Sequence, residues 1–148
     1  MSDDDLVSLS GLSRPEITGA VTRGAYRALV HLGLSPLLEV TLPNGRRADL
    51  MAISPKGELT IVEVKSGHDD FRADVKWPEY LPYCDRFYFA VAPEFPQHVL
   101  PQGPGLIVAD AFGGAVVIGS PLSPLAGGRR KALTLSFARL AAIRSAPV

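Results

Sequence analysis

Arg46-Arg47-Ala48-Asp49-Leu50-Met51-Ala52-Ile53, the turn Ser54-Pro55-Lys56-Gly57, and Leu59-Thr60-Ile61-Val62-Glu63-Val64-Lys65 form the stretch that decides the fold. Two apolar runs rich in branched residues and joined by a proline-glycine turn predict a β-hairpin over 47–53 and 59–65. Side chains alternate along a strand, so Glu63 and Lys65 share one face and Val62 and Val64 the other. Charges on an otherwise apolar strand are costly to bury unless they are paired or bound to a metal. A short hairpin places Asp49 beside Glu63. Two adjacent carboxylates repel each other, and a divalent cation resolves that repulsion. A neighbouring lysine can hold a water or offset charge at a phosphorus centre. The spacing points to a magnesium site with a cationic neighbour. Taken alone, a Glu-x-Lys element reads instead as a surface ion pair at a sheet edge, which is common and weak.

Outward from the hairpin, Leu37 to Leu42 reads as a strand, and Pro43-Asn44-Gly45 as the turn that completes an antiparallel meander. Ahead of it, Ser13, Pro15 and Glu16 give a helix start, and Ile17, Ala20, Val21, Gly24, Ala28 and Leu32 recur at helical spacing as far as Gly33. Gly19 and Gly24 weaken that helix and predict close approach of another element. Residues 1–12 read as a flexible N-terminal tail, which leaves 13–148 as a single domain. Beyond Lys65 come a loop over 66–72 and a short helix over 76–83, with Pro78 in its first turn. Residues 86–92 read as a strand covered on both faces. An irregular segment over 93–104 follows, then a hairpin over 106–109 and 115–118. A loop spans 119–128, and a final helix over 132–144 carries Leu133, Phe137, Leu140 and Ala141 on one stripe. The class is α/β.

Composition bounds the function. The chain has 148 residues, 47% apolar and 20% charged, which fits one globular domain. Lys+Arg and Asp+Glu are 15 each, so a wholly basic nucleic-acid coat is excluded. Residues 111–148 nevertheless carry Arg129, Arg130, Lys131, Arg139 and Arg144 and no acid. Cys84 is the sole cysteine, so no internal disulfide forms and a reducing compartment is expected. The acidic start Met1-Ser2-Asp3-Asp4-Asp5 lacks the form of a signal peptide, and no apolar run approaches a membrane span. The expectation is a cytoplasmic protein with no membrane partner. His31, His68 and His98 lack metal-ligand spacing, with His68 nearest the proposed site. Cys84 reads as a buried thiol, and no glycine-rich phosphate loop is present.

The order helix, acid-bearing strand, Arg-Arg-Ala-Asp, turn, Ile-Val-Glu-Val-Lys, helix resembles the PD-(D/E)XK nuclease superfamily. That resemblance implies a restriction-endonuclease-like α-β-β-β-α-β core, with a central mixed sheet flanked by helices. Arg46 to Ile53, Val62-Glu63-Val64-Lys65-Ser66-Gly67, Asp70-Phe71, Asp74-Val75-Lys76-Trp77 and Tyr80 to Val91 resemble the bacterial MmcB family of DNA-repair proteins. The likeness runs from about Glu16 to Arg144.

The resemblance implies roles. Asp49 and Glu63 would hold Mg2+, or Mn2+ in its place, with the Val64 carbonyl as a further ligand. Lys65 would position the attacking water or stabilise developing charge. Ala48 stands where the superfamily name has proline, a position that varies. Glu39 is the preferred additional acid, with Glu16 as its competitor and an exposed strand acid as the plain alternative. Lys76 and Tyr80, a helical turn apart, would line the groove, or Tyr80 would be core and Lys76 solvated. Trp77 is read as packing, and Asp69, Asp70 and Asp74 as solvated loop acids. Arg46, Arg47, Arg72, Arg86 and residues 129–131 are candidates for phosphate contacts, with solvated surface as the alternative for about half of them.

The implied activity is hydrolysis of DNA phosphodiester bonds by magnesium-activated water during repair. The alternative is a module that keeps the nuclease fold and binds DNA or a repair partner without cutting. Homodimerisation is an expectation by analogy with nucleases of this fold.

Overall fold

The computed structural model describes residues 2–67 and 76–147. Helix α1 (Arg14–His31) begins as its sequence predicts. The Ser13 hydroxyl accepts the Glu16 N–H at 3.3 Å, and the Glu16 carboxylate accepts the Ser13 N–H at 3.1 Å. The helix ends at Gly33, whose φ of 83° lets the Leu34 N–H turn back to the Leu29 carbonyl at 3.0 Å.

Strands β1 (Ser35–Thr41), β2 (Arg47–Ile53) and β3 (Leu59–Lys65) form the expected antiparallel meander. Strand β4 (Arg86–Val91) lies parallel to β3, and β5 (Gly105–Ala109) lies parallel to β4. Strand β6 (Gly114–Ile118) pairs antiparallel with β5. The result is one mixed six-stranded sheet in sequential order. Pro36 falls on β1, an edge strand, where a missing N–H is tolerated.

Helix α2 (Gly127–Ser145) and the 3-10 turn Trp77–Tyr83 cover one face. There Met51, Ile61, Tyr80, Phe87, Phe89, Leu133 and Phe137 pack together. Helix α1 covers the other face, where Val21, Ala25, Leu29, Leu50, Val62, Ala90 and Ile107 meet. All seven residues of β3 are buried, as expected of a strand between two layers. Among the described residues, no helix is long and apolar enough to cross a membrane.

Four features differ from the sequence reading. Residues 2–12, expected as a tail, lie against the sheet. Leu9 is buried, the Val7 N–H donates to Asp110 Oδ2 at 2.7 Å, and the Leu9 N–H donates to Glu94 Oε1 at 2.7 Å. The segment over 77–83 is a 3-10 turn rather than an α-helix, because Pro82, inside it, removes an N–H donor that an α-helical ladder needs. Helix α2 starts at Gly127 rather than 132. Arg130 in its first turn donates to the Gly57 carbonyl at 2.8 Å and pairs with Asp85, so tertiary contacts override the weak propensity of Gly127 and Gly128. Of the two α1 glycines, only Gly24 is needed for close approach. A Cβ there would lie 1.9 Å from the Asp110 carbonyl oxygen and 2.6 Å from that of Gly113.

Candidate metal and phosphodiester site

The β2–β3 ladder runs from Ile53 opposite Leu59 to Leu50 opposite Val62. One step further, side chains take over the bonding. The Asp49 N–H donates to Glu63 Oε1 at 3.0 Å, and the Val64 N–H donates to Asp49 Oδ2 at 2.7 Å. Each carboxylate is thus anchored to the opposite strand. A carboxylate has about four acceptor positions, so a single backbone bond fixes its place without exhausting it. Both acids stand on the face that carries Met51 and Ile61, towards Tyr80.

Burial sets the electrostatics. Glu63 and Lys65 are both buried at the end of β3. Desolvation pushes the Asp49 carboxyl above its ordinary range. The Val64 N–H bond and the charges of Lys65 and Arg47 act in the other direction without outweighing it. Burial thus penalises the ionised form of Asp49 at this site. The site's donors are hard oxygens held side by side, a set that suits Mg2+ or Mn2+. Asp49 and Glu63 are a pair. Among the described residues, no group of three His, Cys, Asp or Glu side chains is assembled to hold a metal.

Asp49 opens onto a polar groove that it lines together with Asn44, Arg46, Arg47, Glu79 and Tyr80. The β1–β2 turn is tied across it. Asn44 Nδ2 donates to the Glu79 carbonyl at 3.0 Å, and Arg46 pairs with the Glu79 carboxylate at 3.0 Å. Arg47 is exposed at the rim. Tyr80 combines the two roles set out for it. Its ring is buried and stacks on Phe87 at 5.8 Å, while its hydroxyl reaches the Arg47 carbonyl at 3.4 Å. Lys76 stands exposed ahead of the turn and outside the groove lining. Trp77 packs on Phe87 and Phe89, as expected of a core residue.

Glu39 stands elsewhere. It has φ 48°, the sole non-glycine residue with positive φ among those described, and the pairing of β1 with β2 skips it opposite Asp49. Leu37 and Val40, three positions apart, consequently both pack beneath α2. The exposed Glu39 lines a second groove with Thr41, Ser136, Leu140 and Arg144. Arg144 donates to the carbonyls of Leu38 and Glu39. Glu16, the competing acid, caps α1, and its bonds with Ser13 hold its carboxyl below the ordinary range.

Two basic candidates serve the fold. Arg86 pairs with Glu58 at 2.5 Å and donates to the Ser120 carbonyl at 2.8 Å, at the end of β4 away from Lys65. Arg130 is consumed by Asp85, whose carboxylate also accepts the Leu59 and Leu125 N–H groups at 2.7 and 2.9 Å. Arg129 lies over the Tyr83 ring at 5.2 Å. His68, Asp69, Asp70, Arg72 and Asp74 lie outside the described residues. Cys84 is buried, and its thiol is pushed up to about 12 by desolvation and by Asp85.

One neighbour of the site carries no local sequence signal. Arg14, at the start of α1, lies against Gly67, two residues beyond Lys65.

Comparison with known proteins gives two matches. The sequence model of a family described as DNA repair protein MmcB-like matches residues 7–148. Among solved structures, the chain is similar to the SPO1766 protein of unknown function from Silicibacter pomeroyi. They share 41% identity over 90% of each chain, with a TM-score of 0.82. No curated protein matches.

Proposed function

Since this chain belongs to the MmcB-like family of DNA repair proteins, we propose that it hydrolyses DNA phosphodiester bonds with a PD-(D/E)XK site made of Asp49, Glu63 and Lys65. The observation that carries the reading is the crosswise anchoring of the two carboxylates at the point where β2 and β3 stop pairing. The order α1-β1-β2-β3-β4 supports the superfamily core. Between β3 and β4 the described part is the 3-10 turn.

Asp49 and Glu63 would hold Mg2+ or Mn2+, with the Val64 carbonyl as a further ligand. When bound, the ion supplies a Lewis acid for a phosphoryl oxygen and a water of lowered pKa. The chain's own residues do the rest. The backbone bonds at Asp49 and Glu63 hold both acids in place before DNA arrives, so no reorganisation is needed. Lys65, buried beside them, keeps a fixed positive charge where negative charge develops at phosphorus. Arg46, Arg47 and the Tyr80 hydroxyl border the groove along which a DNA backbone would lie. Arg46 shares its charge with Glu79, so Arg47 is the stronger phosphate contact of the two. None of these groups is arranged to read bases, so contact is expected to be with the backbone and dependent on salt.

The alternative is binding of DNA or of a repair partner without cleavage. The separation of Glu39 from the Asp49–Glu63 pair favours it, because among the described residues it leaves two carboxylates rather than three. One experiment separates the readings. Single-stranded, flapped, branched and duplex DNA are incubated with the protein in Mg2+, in Mn2+ and in chelator, alongside Asp49→Ala and Glu63→Ala. Metal-dependent cleavage lost by about a hundred-fold or more in both variants supports the nuclease. Binding in chelator without cleavage in either metal supports the binding module.

A further inference from the structure

Gly67 follows Lys65 and Ser66 at the exit of β3. A Cβ built on it would lie 2.7 Å from Nη2, 2.9 Å from Nε and 3.0 Å from Cζ of Arg14. Its backbone is outside the left-handed region, so any residue could adopt the conformation. The guanidinium occupies the volume a side chain at Gly67 would fill, and as the far end of an exposed side chain it would have to move aside for one. At the other end of this contact the backbone is fixed. Arg14 is the first residue of α1, and the reciprocal Ser13–Glu16 caps set where that helix begins. The contact joins segments far apart in sequence and brings a permanent cation to the end of β3 that carries Glu63 and Lys65. Arg14 is exposed, and its planar fork suits phosphate oxygens. It approaches from the α1 side, whereas Arg46 and Arg47 approach from the β1–β2 turn.

We propose that Arg14, seated on the backbone of Gly67, binds a DNA phosphate beside the Asp49–Glu63 pair, an inference that rests on the nuclease-site reading above. Arg14 and Arg47 then hold consecutive parts of one strand on either side of the carboxylates. Gly67 acts as the seat that fixes where the first of these contacts falls.

The test measures binding of fluorescent flapped, single-stranded and duplex oligonucleotides across a salt series, with calcium in place of magnesium. Wild type is compared with Arg14→Gln, Arg14→Lys and Gly67→Ala, and thermal melts confirm that all are folded. Losing one phosphate contact makes the slope of log affinity against log salt shallower by about 0.9 for duplex DNA and about 0.7 for single strands. That loss is expected for Arg14→Gln, with binding weakened roughly five-fold at low salt and equally on all sequences. Arg14→Lys is expected to keep the slope and lose part of the affinity, because a point charge replaces the fork. Gly67→Ala keeps the arginine but displaces it, and is expected to weaken binding by less than Arg14→Gln does. If wild type binds DNA and Arg14→Gln matches it in slope and affinity, the Arg14 proposal fails while the nuclease reading stands. Unchanged binding in Gly67→Ala removes the seat. If wild type binds none of these DNAs, the nuclease reading fails and Arg14's role with it.

Discussion

The Asp49 N–H donates to the Glu63 carboxylate at 3.0 Å, while the Asp49 carboxylate accepts the N–H of the residue after Glu63, at 2.7 Å. The two acids thereby replace the last rung of the β2–β3 ladder. They are rigid because the sheet is rigid, and they are close because the strands are neighbours. This arrangement carries an electrostatic cost that becomes a measurable property.

Desolvation raises the Asp49 carboxyl above its ordinary value. A folded-state pKa above the unfolded one gives stability that is present at low pH and lost as pH rises through the folded value. At neutral pH the ionised Asp49 therefore costs stability in the metal-free protein. Asp49→Asn keeps an acceptor for the Val64 N–H and removes that charge. It is expected to raise metal-free stability at pH 7 by roughly 1 kcal/mol, an advantage that shrinks at acid pH as the wild-type carboxyl takes up its proton. Magnesium at a hundred times its Kd stabilises wild type by about 2.7 kcal/mol and leaves Asp49→Asn nearly unchanged. Thermal melts in chelator and in magnesium, at neutral and at acid pH, check this. A wild-type melting point indifferent to magnesium and manganese counts against the metal site.

The N-terminal segment is held by acids of the opposite kind. Burial alone would raise the Asp110 carboxyl, but N–H bonds from Val7, Phe112 and Gly113 outweigh it and hold it below the ordinary value of 3.8. Glu94, bonded to the Leu9 N–H, is lowered likewise. Such groups give stability that is present above the unfolded pKa and lost as pH falls through the folded one. Acidification from about pH 4 downward is expected to release residues 2–12 before the sheet unfolds. Hydrogen exchange at Val7 and Leu9 reports it. Asp110→Ala, which leaves the Val7, Phe112 and Gly113 N–H groups without their acceptor, should do the same at pH 7 at a cost of about 2 kcal/mol.

Arginines divide into two kinds, and one variant separates them. Arg130 meets Asp85, a carboxylate buried to 1% exposure that also caps two backbone N–H groups. Removing the cation leaves a buried charge. Arg130→Ala is expected to destabilise the fold by about 3 kcal/mol in chemical denaturation. It should leave the salt dependence of DNA binding as in wild type, because Asp85 lies at the far end of β3 from Lys65. A shallower salt slope in this variant would place Arg130 on the DNA-facing surface instead.

What the sequence made legible was local. Alternation and two short turns were enough for β1 to β3, and hairpin length sufficed to bring Asp49 beside Glu63. Three features depend on partners remote in sequence, which no local pattern encodes. The first turn of α2 depends on Arg130 meeting Asp85 across 45 positions. The docking of residue 7 depends on Asp110, 103 positions away. Arg14 meets Gly67 only because α1 begins beside the exit of β3. Glu39 was read as a regular strand residue, and its left-handed φ shifts the phase of β1 so that its side chain joins the α2 groove. An unbroken alternation of apolar and polar positions gives no sign of such a shift.

The two glycines of α1 offer a final test of that distinction, because their sequence contexts are alike and their surroundings are not. At Gly24 a methyl group would stand 1.9 Å from the Asp110 carbonyl oxygen and 3.0 Å from the Ala109 Cβ, both fixed parts of the β5–β6 turn. At Gly19 it would meet only Arg23 Nη1, at 3.3 Å, the end of a flexible exposed side chain. Gly24→Ala is therefore expected to destabilise by about 3 kcal/mol, as α1 must lift off the sheet or the turn must give way. Gly19→Ala is expected to stabilise by about 0.5 to 1 kcal/mol, through the ordinary gain in helix propensity. Urea denaturation of the two variants side by side measures both. Equal effects of one sign would show that α1 does not sit as closely on β5 and β6 as its contacts require.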